Sequence, residues 1–189
     1  MRSSQPRRLA LWATRLALCV CILLVAISTA GATTDTPTAA LKAAFLFNFA
    51  KFTEWPRLPT GEPIIACVVG DDDIANALTE AVQGQRVAGR VVIVSRPQTE
   101  TAWTACQLLF IAEARRARAA SALREMRRLP VLTVSDGPGF AENHGIVELF
   151  VEQGRMRFAI NVAASQQAGL RLSSRVLGLA KVVGDEGGR

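Results

Sequence analysis

The sequence predicts an α/β fold: a mostly parallel, three-layer, flavodoxin-like sheet with helices on both faces and a C-terminal antiparallel hairpin. Three observations predict it. Short, continuous apolar runs are typical of strands that are covered on both faces. Segments with helical spacing separate these runs, which favours parallel strands joined by helices. Two later apolar segments flank a short turn at Gln153-Gly154, which is typical of a hairpin.

The first 32 residues are predicted to be a cleavable secretory signal peptide. They begin with basic residues, contain no acidic residue, and include an unbroken apolar run at residues 16–27. That run is short for a membrane span of ~20 residues, and the small residues at 30–32 offer a cleavage site. We therefore expect a periplasmic protein. An uncleaved anchor and a twin-arginine signal at Arg7-Arg8 are the alternatives.

Removing the signal peptide changes the charge of the chain. The whole sequence has 22 Lys and Arg against 16 Asp and Glu; four Arg lie in the signal peptide, which leaves 18 against 16. A nucleic-acid partner therefore loses its main support. The remaining chain is long enough for one domain with its own core, predicted at residues 33–183. Residues 184–189 are predicted to be a disordered tail.

An aromatic helix opens the mature chain. Thr36 as N-cap and Pro37 at the first position predict its start, it should run to about Thr53, and Pro56 should end it. One arc of roughly 120° is predicted to be its packing face. The arc contains Leu41, Phe45, Asn48, Phe49, Phe52 and Trp55.

Three residues of this segment are not explained by packing of the helix on the sheet. The amide of Asn48 needs hydrogen-bond partners if it is buried, so it either locks the helix to the sheet or recognises a partner. Phe47 and Trp55 add aromatic surface of the kind that marks an interface. We interpret the helix mainly as scaffold, with docking at Phe47, Trp55 and the bend at Pro56.

Four parallel strands are predicted at residues 64–69, 91–95, 107–112 and 131–135, with helices at 74–82 and 113–129. Cys67 and Cys106 are the cysteines left after the signal peptide, and an exported pair predicts one disulfide. Two distant cysteines and the sole histidine do not make a metal-ligand set. The bridge would place the first strand beside the start of the third, which fits the strand order 2-1-3-4.

The C-terminal third is predicted to contain a hairpin and two helices. Residues 145–151 and 156–160 should pair at the edge of the sheet. A short helix at residues 163–168 should stop at Gly169. Ser173 is then placed to cap a final helix that carries Val176, Leu177 and Ala180.

No catalytic constellation is found in the sequence. The acids at 71–73 follow the first strand, where receiver domains bind Mg²⁺, but the third strand ends without the required Asp, so an N-cap at Asp71 is favoured. There is no Gly-x-Ser-x-Gly motif, no phosphate-binding loop, and only His144 to act as a base. We predict a protein that is not an enzyme and has no cofactor and no metal.

Two basic segments remain as binding candidates. The helix at 113–129 has six Arg against two Glu, interpreted as a solvated face or as a contact for an anionic partner or lipid. Arg171, Ser173 and Arg175 at a helix start form a plausible anion site, with capping and surface charge as the alternative. The candidate partner- or ligand-binding residues are Phe47, Asn48, Trp55, Arg57, Arg171, Ser173 and Arg175.

Six passages, in order along nearly the whole mature chain, resemble the YfiR-like (HmsC-like) family of periplasmic proteins. They are residues 41–56 (LKAAFLFNFAKFTEWP), 67–70 (CVVG), 106–111 (CQLLFI), 131–136 (VLTVSD), 157–161 (RFAIN) and 169–175 (GLRLSSR). The resemblance implies a non-enzymatic regulator that represses a membrane-bound diguanylate cyclase by binding its periplasmic sensory domain. Cyclic-di-GMP, exopolysaccharide and biofilm formation would then be limited.

The resemblance also implies an outer-membrane, peptidoglycan-binding lipoprotein that sequesters the repressor, and a homodimer that depends on disulfides. Cys67 and Cys106 match one family bridge, while the second family pair is absent from this sequence. Two other functions are considered beside the regulator. One is a periplasmic receptor for a small anionic or aromatic metabolite, and the other is an exported enzyme.

Overall fold

The structure, a computed structural model, describes residues 38–184; the predicted signal peptide and all of the predicted tail except Gly184 lie outside the described residues. The helices are α1 (Ala39–Lys51), α2 (Asp72–Val82), α3 (Glu113–Met126), α4 (Val162–Gln167), α5 (Ser174–Leu177) and the 3₁₀ helix η1 (Glu100–Ala105). The strands are β1 (Thr53–Glu54), β2 (Ile64–Val69), β3 (Arg86–Val87), β4 (Arg90–Ser95), β5 (Leu108–Ile111), β6 (Leu132–Ser135), β7 (Val147–Glu152), β8 (Arg155–Asn161), β9 (Arg171–Leu172) and β10 (Lys181–Val183).

The eight-stranded sheet has the order β10-β8-β7-β6-β5-β2-β4-β3. Its four central strands, β4, β2, β5 and β6, are parallel, so the predicted flavodoxin-like order 2-1-3-4 is confirmed. β7 joins β6 in parallel, and β8 returns antiparallel to β7, which confirms the hairpin. At the other end, β3 pairs antiparallel with β4.

The position predicted for the hairpin, at the sheet edge, is wrong. β10 pairs in parallel on the outer side of β8 and forms the edge itself. The final helix is also shorter than predicted, because α5 makes a single turn before Gly178 and Ala180 already leads into β10. Val182 and Val183 favour an extended strand over a continued helix, since their β-branched side chains pack well on a pleated sheet.

The strands β5 and β6 are buried on both faces, whereas Val91 and Ile93 expose one face of β4. Leu108, Leu109, Phe110 and Ile111 are all fully buried, and successive side chains point to opposite faces. Leu108 and Phe110 belong to the core beneath α1 and α2, whereas Leu109 and Ile111 belong to the core beneath α3 and η1. The predicted three layers are therefore confirmed.

α1 buries a different face from the predicted one. Ala43, Leu46, Phe49 and Ala50 are buried, while Leu41 is 42% exposed and Asn48 lies at the surface. The helix is apolar on most sides, so periodicity alone did not single out one face. The small side chains of Ala43 and Ala50 allow the helix to pack closely on that side.

The two ends of α1 also differ from the prediction. Thr38 caps the helix, its Oγ1 accepting a hydrogen bond from Leu41 N at 3.3 Å, and the predicted cap Thr36 lies outside the described residues. The helix ends at Lys51 because Thr53 already belongs to β1. The Nζ of Lys42 pairs with the carboxylate of Asp136 after β6, which fixes the N-terminal half of α1 at the carboxyl end of the parallel strands.

The predicted disulfide is present. Cys67 in β2 and Cys106 before β5 are bridged, with their Cα atoms 5.9 Å apart. The bridge lies in the core beneath α3, beside Trp103 of η1. The two cysteines are separated by 39 positions in the sequence. In the chain-entropy model, closing a loop of this length stabilises the fold by about 4 kcal/mol.

Candidate docking surface

A two-stranded ribbon brings together two segments that are far apart in the chain. β1 follows α1 directly, and it pairs antiparallel with β9, placing Thr53 opposite Leu172 and Glu54 opposite Arg171. Ser173 N donates a hydrogen bond to Phe52 O at 2.9 Å, which extends the pairing by one residue. The aromatic helix and the Arg-rich C-terminal segment, both predicted as binding candidates, therefore share one surface.

The end of α1 is held rigidly beneath this ribbon. Phe52 N donates to Asn48 O at 3.0 Å, and Thr53 Oγ1 donates to Phe49 O at 2.7 Å. Phe49 lies in an aromatic cluster with Phe45 and with Phe158 of β8, whose ring centroid is 5.2 Å from that of Phe49. The position of Asn48 and Phe52 is thus fixed by the core.

Arg57 joins the same surface from the loop after β1. A Cβ added to Gly169 would lie 3.6 Å from Nη2 of Arg57, so the guanidinium covers this glycine. Gly169 has a φ of +73°, the left-handed conformation that ends α4 as predicted. We call the group of Asn48, Phe52, Arg57, Arg171 and Arg175 the β1–β9 surface.

The β1–β9 surface is positively charged. Arg57, Arg171 and Arg175 are exposed, and Glu54 is the acidic residue of the ribbon. Apolar groups lie among these charges: Phe52, Leu172 and Leu177 are half-buried. A cationic surface with an apolar component can bind an acidic protein surface or a small anion.

Trp55 belongs to the scaffold. Its side chain is 8% exposed, and its Nε1 donates to Gln107 O at 3.0 Å. Gln107 O also accepts from Leu132 N, and its side-chain Oε1 accepts from Ile65 N, so Trp55 is bonded to the point where three strands begin. A partner cannot reach this ring in the folded protein, and we remove Trp55 from the docking candidates.

The other candidates differ in how they are presented. Asn48 is exposed, so its amide needs no partner within the fold. Phe47 is half-buried against the core, with Lys51 Nζ 5.4 Å from its ring centroid, within the range of a cation–π contact. Phe47 lies about 100° around α1 from Asn48, so it is displaced from the β1–β9 surface.

Ser173 occupies the N-cap position of α5, but its hydroxyl makes no capping bond. The Oγ is enclosed and has no hydrogen-bond partner among the described residues. α5 has four residues, so its dipole is small and gives little support to an anion site. The role of Arg171, Ser173 and Arg175 as an anion site stays a prediction.

The sequence did not indicate the ribbon or the part that Phe52 plays in it. A strand of two residues leaves no periodic pattern, and Gly169 was visible only as a helix stop. Within residues 38–184, no cluster of three or more His, Cys, Asp or Glu side chains is arranged to hold a metal ion. In the same part of the chain, no helix has the length and apolar character needed to cross a membrane.

Comparison with known proteins decides the family. The model of the YfiR/HmsC-like family matches residues 39–181, which covers the described fold from α1 to β10. The chain belongs to the YfiR/HmsC-like family. The resemblance found in the sequence is thereby confirmed, and the family is a periplasmic, regulatory and non-catalytic one that supports a general role in cyclic-di-GMP signalling for this chain.

Among solved structures, the chain is similar to a conserved domain protein from Vibrio cholerae O1 biovar El Tor strain N16961. The sequence identity is 12% and the TM-score is 0.45, and the match covers 74% of this chain. The chain spans 59% of the length of that protein. No curated protein matches the chain.

Proposed function

We propose that this YfiR/HmsC-like protein represses a membrane-bound diguanylate cyclase by docking on the periplasmic sensory domain of the cyclase through the β1–β9 surface. Repression would limit cyclic-di-GMP and, through it, exopolysaccharide and biofilm formation. Family membership supports the regulatory class. The β1–β9 pairing carries the choice of surface, because it brings the exposed candidates Asn48 and Arg57 together with Arg171 and Arg175.

The composition of the β1–β9 surface suits a protein partner. Arginine is enriched in interfaces, where its guanidinium makes several directed hydrogen bonds and its stem covers apolar area. Phe52 and the neighbouring Leu172 supply half-buried apolar area between the arginines. The partner's face is expected to be acidic, because opposite potentials favour encounter and fix the orientation.

The sequestering lipoprotein and the homodimer belong to the same proposal. A lipoprotein that binds the β1–β9 surface would compete with the cyclase and release it. A second copy of the chain that leaves this surface open would instead present two docking sites. Binding of the lipoprotein and the cyclase is therefore expected to be mutually exclusive, and dimerisation is expected to be compatible with both.

The decisive experiment measures binding of the processed periplasmic protein to the periplasmic domain of a membrane-bound diguanylate cyclase from the same organism. The double variant Arg57→Glu/Arg171→Glu should weaken binding by at least about tenfold, because a like-charge contact costs several kcal/mol. The matched control Arg128→Glu/Arg155→Glu changes two exposed arginines outside the β1–β9 surface, one in the turn that follows α3 and one at the start of β8. This control should bind the cyclase domain as the unchanged protein does.

The same variants give a cellular test. Deleting the gene should raise cyclic-di-GMP and biofilm, and restoring the gene with the control variant should return both to the starting level. The Arg57→Glu/Arg171→Glu gene should fail to do so at equal protein abundance. Normal repression by this variant would exclude the β1–β9 surface, and unchanged cyclic-di-GMP on deletion would contradict the proposed function.

A further inference from the structure

A cavity of about 420 Å³ opens at the carboxyl end of the sheet, and none of the residues that define the β1–β9 surface lines it. The ends of β2 and β4 form its floor, at Val69 and at Arg96 just beyond β4, and α3 and η1 form its walls. Ligand pockets in proteins typically have volumes of about 300–1,000 Å³, so the space is sufficient for a small metabolite.

The cavity lies at the point where the sheet reverses its winding. β2 leads through α2 to β4 on one side, whereas β5, the neighbour of β2 on the other side, leads through α3 to β6. α2 packs on one face of the sheet and α3 on the other. In open α/β sheets, ligands bind in the crevice beyond the carboxyl ends of the strands at this switch point.

Two arginines of α3 face the cavity without a partner in the fold. Arg115 and Arg118 line it, and within residues 38–184 neither guanidinium takes part in a salt bridge or a side-chain hydrogen bond. Arginines on adjacent positions of a helix face can together hold a carboxylate or phosphate, since each presents several donors in one plane.

The acidic residues that line the cavity are largely engaged elsewhere. Asp71 Oδ1 accepts from Ile74 N at 2.9 Å, which caps α2 as the sequence predicted. Asp72 lies 3.5 Å from Arg96 Nε, and Arg96 Nη2 also donates to Asn76. Glu100 is the lining acid without such a contact among the described residues. The three acids and three arginines of the lining balance in formal charge, and Arg115 and Arg118 are its arginines without an acidic partner among these residues.

The backbone at the end of β2 is adapted to one of these arginines. Gly70 has a φ of +89°, and a Cβ at this position would collide with Cγ of Arg115. The stem of Arg115 therefore lies across the glycine, which holds its guanidinium at the mouth of the cavity. A longer residue at position 70 would displace it.

Trp103 provides an independent observation. It lines the cavity, is 5% exposed, and its Nε1–H has no hydrogen-bond partner among the described residues. The Nε1 atom is enclosed, so the indole contributes ring surface to the cavity lining and offers no hydrogen-bond donor to a ligand.

We propose that this cavity binds a small organic or inorganic anion whose carboxylate or phosphate group is held by Arg115 and Arg118 beside the indole of Trp103. The ligand class follows from two guanidinium groups that have no partner within residues 38–184 and that line a cavity of metabolite size. The site is separate from the β1–β9 surface. Its existence does not depend on the cyclase, so either proposal can fail alone.

The test uses the processed periplasmic protein at constant ionic strength, titrated in separate arms with inorganic phosphate and with succinate. Calorimetry should detect saturable binding in at least one arm, and the arm that saturates identifies phosphate or carboxylate chemistry. The emission of Trp103 should change with the same dissociation constant. Absence of saturation in both arms up to roughly 10 mM would overturn the proposal, since weaker binding has no specific character.

Variants assign the binding to the cavity. Arg115→Gln and Arg118→Gln should each weaken affinity by about tenfold, because each removes a charge-assisted contact. Arg128→Gln is the matched control, an exposed arginine just beyond α3 and outside the cavity lining, and should bind as the unchanged protein does. Equal losses in all three variants would mean a non-specific charge effect and would also overturn the proposal.

Trp103→Phe provides a second and different readout. The smaller ring still lines the cavity and the lost N–H makes no contact with the ligand, so affinity should change little while the emission change disappears. A single cooperative unfolding transition in each variant would show that the fold is intact. An emission change that persists in Trp103→Phe would place the ligand away from this ring, and full affinity in the arginine variants would remove the site itself.

Discussion

Trp55 and Trp103 are buried to nearly the same degree, at 8% and 5% exposure, yet they differ in whether the indole N–H has a hydrogen-bond acceptor. Trp55 donates to Gln107 O at 3.0 Å, whereas Trp103 has no acceptor among the described residues. Burial alone would assign both side chains to the core. The hydrogen bond separates a tryptophan that completes the scaffold from one that lines an open cavity.

The difference extends to the surroundings of each ring. Trp55 is bonded where β2, β5 and β6 begin, and the chain around it is closed by main-chain hydrogen bonds. Trp103 sits on a 3₁₀ helix that is attached to the sheet by the neighbouring Cys67–Cys106 bridge. The indole of Trp55 is therefore satisfied within the fold, whereas that of Trp103, beside a covalent link, leaves its donor unused.

The largest expected effect follows from breaking that link. The Cys67→Ala/Cys106→Ala variant should lose about 4 kcal/mol of unfolding free energy, because the unfolded chain is no longer cross-linked. Denaturant unfolding measures the loss. In the same experiment, the emission of Trp103 should report loosening before that of Trp55, since η1 loses its anchor while the bond from Trp55 to Gln107 remains.

Two controls accompany the disulfide variant. The protein without residues 1–32 should show no free thiol under denaturing, non-reducing conditions, because Cys67 and Cys106, the cysteines that remain, are bridged. Adding reductant should destabilise the unchanged protein and leave the alanine variant as it was. An unfolding midpoint that does not move in the variant would mean that the bridge contributes nothing to stability.

Much of the scaffold could be predicted from the sequence, because buried parallel strands leave continuous apolar runs such as those of β2 and β5. The disulfide followed from two exported cysteines, and it fixed the strand order. The packing face of α1 could not be predicted, since apolar side chains surround this helix and only the fold distinguishes Leu46, fully buried, from Leu41, 42% exposed.

The candidate docking surface could be predicted only in pieces. Asn48, Arg57 and Arg171 were each predicted as binding candidates, but the two-residue strands that bring them together carry no periodic signal. Trp55 was misread as surplus aromatic surface because its hydrogen-bond acceptor, a main-chain carbonyl, is invisible in a sequence. The arginines of α3 were interpreted as a solvated face or as a contact for an anionic partner or lipid, and the sequence could not show which of them line a cavity.

A smaller effect is expected at Asp136, which joins the two sides of the sheet. Its carboxylate pairs with Lys42 of α1 and accepts from Glu113 N at the start of α3 at 2.8 Å. Asp136→Ala should cost about 2 kcal/mol of unfolding free energy, because it removes a helix cap and leaves the part-buried Lys42 without its partner.

The matched variant Lys42→Met separates the two contributions. It removes the ion pair but keeps the apolar stem and the cap on α3, so the loss measured by denaturant unfolding should be smaller than for Asp136→Ala. Equal losses in the two variants would show that the bond to Glu113 N contributes nothing. A larger loss for Lys42→Met would contradict the assignment of Asp136 as the joint between α1 and α3.

The smallest expected effect is a difference in unfolding free energy between variants of the two tryptophans. Trp55→Phe and Trp103→Phe remove the same atoms from sites of similar burial, so the cost of the smaller ring is expected to be similar in both. Trp55→Phe also loses a hydrogen bond, which adds about 1 kcal/mol. Trp103→Phe loses a donor that had no partner, so the difference between the two unfolding free energies should be about 1 kcal/mol or more. Equal losses would mean that Trp103 Nε1 is satisfied in solution by ordered water, and the unused donor would then no longer distinguish Trp103 from Trp55.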